Sequence, residues 1–475
     1  DLLEESALHL LPPNRRARLH AEFARVLLDS PKRGRSIRCA VHFEAAGMFA
    51  EAAAAYLQAA RDSAEQQAAH DTLERSNSGL RALAELADAP AVHVLASQLH
   101  QMRSFAYRLL WQLPECMNAA EESLAHAKAG GDLRCRANAL IVLRSANNVG
   151  SMDRDRALRV VRELAETAEQ LGDNALVVQT LVDEGHTYRI SCEFAEAEPC
   201  LRRAFDVATR SQRPELIVKA AIQLVSLQTT LWHFDGTTEV IAAIRANDPL
   251  VDWPFRAHAS LALAMLFTEL ERYGDADAQL QVVRGTLEAG TQKRLPMLPN
   301  VSRPEIAIRH DYFRAVLDAR RGDFDAGLAR FALYLPMYES LLHEARYREL
   351  FEGARIDLLL GRNAKGDAAQ AAELLAGFAC RWDPETGFEP CHATPVLRAR
   401  VACTAESGDA RALFEQAIGF LEAETARYPY GIDAAYALLA ASAASAATGF
   451  SERARSAAAR LRDQKFTAAR DLVSI

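Results

Sequence analysis

Patterned chemistry is what this sequence lacks. Its eight cysteines, Cys39, Cys116, Cys135, Cys192, Cys200, Cys380, Cys391 and Cys403, include no CxxC pair. That spacing rules against zinc ribbons and disulfide frameworks and fits reduced core residues of a cytosolic protein. No GxxxxGK[ST] loop, GxGxxG turn, GxSxG elbow or HExxH helix occurs; His343-Glu344 is followed by Tyr347 where a second metal ligand would be needed. The chain itself is therefore expected to be no enzyme and to hold no cofactor and no metal. Long apolar runs are missing too. The longest weakly polar stretch, Ala434 to Phe450, is mostly alanine and carries Ser442, Ser445 and Thr448, too weakly hydrophobic for a membrane span. With no signal peptide ahead of the first helix, a cytoplasmic location without a membrane partner is expected. Nor is there an excess of positive charge: the net charge of −8 and pI near 6.0 disfavour direct nucleic-acid binding.

What is present is a chain of 475 residues, 50% apolar and 7% aromatic, able to bury a large core. It is organised around the stretch from Asn174 to Ala208. Leu181, Gly185 and Tyr188 recur there at i, i+4, i+7, a helix face on which glycine admits a close neighbour. Glu193 and Phe194 mark a turn. Phe194, Ala197, Leu201, Ala204 and Phe205 then repeat at helical spacing, with small and large residues alternating. A helical hairpin of this kind cannot bury both of its faces alone, so it implies an array.

Gly185, Tyr188, Phe194, Ala197, Leu201 and Ala204 stand in an order similar to the tetratricopeptide repeat, in degenerate form. Two departures are plain: Glu184 stands where the family has an apolar residue, and the proline comes late, at Pro214. The turn-and-alanine signature recurs about every 40 residues. It is seen at Leu113–Cys116, Asp155–Ala157, Phe194–Ala197, Phe234–Thr237, Tyr273–Ala276, Phe324–Gly327, Gly366–Ala368, Gly408–Ala410 and Phe450–Ala454. The resemblance implies an all-α, tetratricopeptide-like α-solenoid, a right-handed superhelix of about nine to ten antiparallel helix pairs.

The opening reads as a helix after Pro12-Pro13 with Leu19, Phe23, Val26 and Leu27 as its apolar stripe. A hairpin follows: a helix over Arg38–Ala46, a turn at Gly47-Met48-Phe49, and a helix packing through Ala52, Tyr56 and Ala59. Leu73, Leu80, Leu83 and Leu86 mark a third amphipathic stretch. Arg16, Leu19, His20, Ala40, His42, Phe43, Ala46, Gly47, Ala52, Tyr56 and Ala59 resemble the junction at which STAND-class regulatory ATPases, LuxR-type transcription regulators among them, hand over to their helical repeats. That resemblance implies a junction over 1–35, a repeat solenoid over 36–475, and an upstream ATPase and a downstream effector domain of the same polypeptide outside this chain, which begins without methionine. Two loops interrupt the repeat, 290–304 and 381–395, with Met297, Leu298, Trp382 and Phe388 among their apolar residues.

In tetratricopeptide-like arrays the first helix of each pair faces a concave groove. Gln101, Arg108, Gln179, His186, Arg189, Thr229, His258, Arg309 and Tyr312 fall on that stripe. A row of such side chains suits a polar small-molecule inducer or a protein partner, with His186 and Arg189 central. The final helix is basic, with Arg453, Arg455, Arg460, Arg462, Lys465 and Arg470, and reads as a solvated capping face. The expected function is a sensor arm coupling an inducer or partner to a neighbouring ATPase; the alternative is a plain scaffold that captures peptide segments.

Overall fold

A computed structural model describes the chain outside residues 1–10, 29–33, 151–152, 192, 290–302, 339–344, 378–392, 426–430, 444–447 and 473–475. Both interrupting loops fall largely outside the described residues. Within them the protein is all-α: 22 α-helices, two 3₁₀ turns and no strand. In chain order these are α1 (Pro13–Leu28), α2 (Arg35–Ala45), α3 (Phe49–Glu65), α4 (Ala69–Leu83), α5 (Pro90–Leu109), α6 (Leu113–Gly130), α7 (Leu133–Gly150) and α8 (Arg154–Leu171). Next come α9 (Asn174–Ile190), α10 (Phe194–Ser211), α11 (Pro214–Leu231), α12 (Thr237–Asn247), α13 (Trp253–Glu269), α14 (Tyr273–Ala289), α15 (Arg303–Arg321) and α16 (Phe324–Tyr338). The series closes with α17 (Ala345–Arg362), α18 (Asp367–Ala376), α19 (Thr394–Thr404), α20 (Ala410–Thr425), α21 (Ile432–Ser442) and α22 (Thr448–Ala468). Each of the nine turn signatures spans or lies within two residues of the start of a second helix, from α6 to α22 in steps of two.

The turns are short because the backbone closes them locally. Gly47, Trp111, Glu271 and Gly322 follow the first helices of four pairs with φ of 56° to 79°, the left-handed region that ends a helix. The next residue's N–H then reaches back: Met48 to the Phe43 carbonyl at 2.9 Å, Gln112 to Tyr107 at 2.9 Å, Arg272 to Phe267 at 2.8 Å and Asp323 to Asp318 at 2.9 Å. Carbonyls left over at the helix end are satisfied, and the chain reverses within two or three residues.

Second helices bury one face at i, i+4, i+7, i+11. Cys116, Ala120, Ser123 and Ala127 form it in α6, and Ala157, Val161, Leu164 and Ala168 in α8. Ala197, Leu201, Ala204 and Ala208 form it in α10, and Ala410, Phe414, Ala417 and Leu421 in α20. In α10 and α20 alanine at the first position lets the partner helix approach, while Leu201 or Phe414 fills the space beside it.

The helices gather into two compact units, one within Asp1–Thr180 and the other over Leu181–Thr291 with Arg303–Ile475. In the first unit α1 shares a core with α2 and α3 through Ala24, Cys39, Ala40, Phe43, Ala52 and Tyr56. The expected stripe on α1 is corrected here. Ala21 and Ala24 are its buried residues, whereas Phe23 and Val26 are 56% and 70% exposed. A leucine- and phenylalanine-based reading of amphipathicity misses a face built from alanine. The same holds for α4, whose buried residues Thr72, Ser76, Gly79 and Leu83 are mostly small.

In the second unit the basic side chains at this end are solvated, as expected, with one exception: Arg453, Arg455, Arg460, Arg462 and Arg470 are exposed, whereas Lys465 is buried. Lys465 is 3% exposed; its Nζ donates to Asp433 Oδ2 at 3.0 Å, lies 3.5 Å from Glu269 Oε2 and sits 5.2 Å from the centre of the Trp232 ring. Arg462 pairs with Glu271, and Arg453 with Glu415 and Glu422. Arg453, Arg462 and Lys465 thus pair with carboxylates of their own unit.

Candidate functional site

Helices α3, α5, α6 and α7 of the first unit line a partly open cavity of about 340 Å³. Phe105, Met102, Ile141, Val142 and Ala146 supply apolar wall, and Gln101, Asn138, Ser104 and Ser145 supply neutral polar groups. Two guanidinium groups, Arg61 and Arg108, also line it, and among the described residues no carboxylate does.

Arg108 stands near the C-terminal end of α5 and is 6% exposed. One Nη donates to Ser145 Oγ of α7 at 2.9 Å, whereas Nε and the other Nη are buried without a hydrogen-bond partner among the described residues. An ionised group held this far from water without a counter-charge is costly, and folded chains normally pair it. Arg61 of α3 is half-buried and donates to Gln98 Oε1 at 3.2 Å; burial pulls its pKa down. Gln101 is buried and its Nε2 lies 3.4 Å from Ser97 Oγ. Ser104 donates to the Cys116 carbonyl at 3.0 Å, and burial pushes the Cys116 thiol's pKa up, which leaves it no activated nucleophile.

Of the nine residues expected on the groove stripe, Gln101 and Arg108 thus meet in one cavity. Gln179 is half-buried on α9. His186 and Arg189 meet each other: the His186 ring donates from Nδ1 to Gln223 Oε1 of α11 at 3.0 Å, and an Arg189 Nη stands 3.3 Å from that nitrogen. His186 thereby bridges to the next helix pair, as Arg108 does to Ser145. Thr229 does not face an opening at all; it is fully buried, and its hydroxyl donates to the Val225 carbonyl one turn back. His258 is half-buried on α13. On α15, Arg309 is exposed and Tyr312 is buried with its ring 5.5 Å from that of Phe313. The stripe is therefore not one continuous polar row: some members are core, some are struts, and two line a cavity.

Arg61, Asn138 and Ser145 escaped the sequence reading. A signal existed for two of them, since Arg61 interrupts the alanine-rich AAYLQAARDSA and Ser145 ends the apolar run ANALIVLRS. It lacked only the knowledge of which helices pack together.

In the second unit, a cleft of about 780 Å³ is lined by residues of both charge signs, among them Glu269, Asp433, Asp357, Arg462 and Lys465. Asp357 receives Arg400 in a buried pair, and Lys465 lies between Glu269 and Asp433. Among the described residues no group of three His, Cys, Asp or Glu side chains could hold a metal ion, and no helix is long and apolar enough to cross a membrane.

Comparison with family models returns no match, and no curated protein matches the chain. Among solved structures, the chain is similar to a Rap protein complexed with competence and sporulation factor, at 10% sequence identity and a TM-score of 0.46, covering 80% of this chain and 99% of that one.

Proposed function

We propose that this chain is a ligand-sensing helical-repeat arm of a regulatory protein, and that it binds its ligand in the first-unit cavity. One observation carries the reading: two guanidinium groups line that cavity with no carboxylate beside them, and Arg108 has no ionic partner among the described residues. A side chain that costs stability where it stands suits a binding role better than a structural one. The cavity's mixture of apolar wall and a few convergent polar groups is what small-ligand sites use.

The coupling part of the proposal rests on the opening helices. Phe23, Val26, Leu28 and Val41 stay 50% to 70% exposed on α1 and α2, where the sequence resembles the junction with a regulatory ATPase. Large apolar side chains left outside a core suit contact with a neighbouring module. The chain contributes no catalytic step of its own in this reading, needs no cofactor and acts in the cytoplasm.

Isothermal calorimetry against a metabolite panel and a peptide panel tests the reading. A small molecule should bind, and Phe105→Ala, which alters the cavity wall, should weaken it. Peptide binding that Phe105→Ala leaves unchanged, with no small-molecule binding, would instead make the chain a peptide scaffold.

A further inference from the structure

The geometry points to the ligand's chemical class: we infer that the first-unit cavity takes a monocarboxylate with an apolar body, its carboxylate held by Arg108. This deepens the proposed function and rests on its choice of site. Among the described residues the lining offers positive charge without negative charge, so an anion gains the attraction of two guanidinium groups and meets no carboxylate there. Arg108 already uses one Nη on Ser145, which fixes the plane of the guanidinium, and keeps Nε and the second Nη without partners. Those two nitrogens form one edge of the fork, the edge that matches the two oxygens of a carboxylate. A carboxylate received on that edge turns a buried charge without an ionic partner into a bidentate pair.

Why a carboxylate rather than a phosphoryl group follows from the backbone. The lining residues lie within helices, where most N–H groups are spent on carbonyls one turn back, so no nest of backbone amides is present to solvate a dianion. The anion must be satisfied by Arg108, Arg61 and the neutral donors Gln101 and Asn138, which suits a single charge. The rest of the wall, Phe105, Met102, Ile141 and Val142, is apolar and asks for a hydrocarbon or aryl body.

The test uses phenylacetate, 4-phenylbutyrate and octanoate, each against its own primary amide, with inorganic phosphate as a further arm, measured by calorimetry on the full chain. At least one carboxylate should bind about tenfold or more tightly than its amide, the scale of a charge-assisted bidentate contact, and Arg108→Met should abolish that preference while leaving the amide's affinity in place. Arg108→Met should also leave the unliganded protein's melting temperature unchanged or raised, because a strut would lower it. Should that variant fail to fold, Arg61→Met reads the same preference at the second guanidinium. Amides binding as tightly as acids, a preference that survives Arg108→Met, or phosphate outcompeting the acids would overturn the class and leave the cavity reading standing. Silence of every acid and amide overturns the monocarboxylate class, and the cavity reading falls with it only if no other small molecule binds in a manner that Phe105→Ala weakens.

Discussion

Gly185 of α9 faces Leu201 of α10 so closely that a Cβ added to the glycine would lie 2.6 Å from both Cγ and Cδ2 of that leucine. Leu201 is fully buried, with Ala197 and Ala204 on either side of it, so it cannot move aside. Gly185→Leu is therefore expected to cost about 1–3 kcal/mol by overpacking, and Gly185→Ala less. Urea unfolding of the two variants checks this. Unchanged midpoints would mean that the two helices do not pack in this register.

Gln212 ends α10 with φ of 54°, exposed to solvent, in a conformation that costs a side-chain-bearing residue and not glycine. Gln212→Gly should raise stability by about 0.5–1 kcal/mol. Thermal unfolding decides it; a lowered melting temperature would show that the side chain contributes more than the turn geometry costs.

Lys465 holds Asp433 and Glu269 together in the second unit, all three under a tenth exposed. Replacing it with methionine keeps the volume and takes the shared cation away from two buried carboxylates, a loss expected at about 3–5 kcal/mol. Burial alone would lower the Lys465 pKa, yet Glu269 and Asp433 outweigh it and the value is raised. A raised lysine stabilises the fold below its unfolded pKa, near 10.4, and the contribution disappears as pH rises through the folded value. Wild type should accordingly lose stability above pH 10 faster than Lys465→Met does.

Acid should act through the histidines of the first unit. Burial lowers the His100 pKa to about 3, helped by the Arg103 guanidinium and by His126, and burial also lowers His126 and His42. His100 Nδ1 lies 2.8 Å from Glu122 Oε2 and 3.1 Å from an Arg103 Nη. With the folded pKa below the unfolded 6.5, the unfolded chain binds the proton first, so stability is intact above pH 6.5 and falls as pH drops below it. At most about 1.4 kcal/mol per pH unit comes from this one ring. Chemical unfolding at pH 7.5, 6 and 5 should show the decline, and His100→Gln should flatten it; an identical slope in the variant would remove His100 from the explanation.

Much of the fold is legible in the sequence because it is decided locally. Turn signatures such as Tyr273–Ala276 and Phe324–Gly327 coincide with the starts of α14 and α16, since a left-handed residue and a backbone bond across five residues end a helix wherever they occur. The hairpin over Asn174 to Ala208 is equally legible, as its alternation of small and large residues encodes how closely two adjacent helices approach. Alanine faces are the weak point. Phe23 looks like core and is exposed, while Ala21 and Ala24 do the packing, because helical phase and not hydrophobicity selects the buried side.

The site is legible only in part, and the contrast between Thr229 and Arg108 shows why. Both are polar residues on the first helix of a pair, at positions that periodicity assigns to a groove. Thr229 satisfies its hydroxyl on its own helix and can be buried at little cost, whereas Arg108 carries a charge that its helix cannot satisfy. Nothing within a few residues of either tells them apart. By itself the sequence determined the helices, their turns and their pairing, all products of short-range hydrogen bonds and of the 3.6-residue period. Tertiary structure alone decided that Arg61 and Arg108 share a cavity without a carboxylate and that Lys465 meets Glu269 across 196 residues, because the balance of charge at a buried point depends on every helix that reaches it.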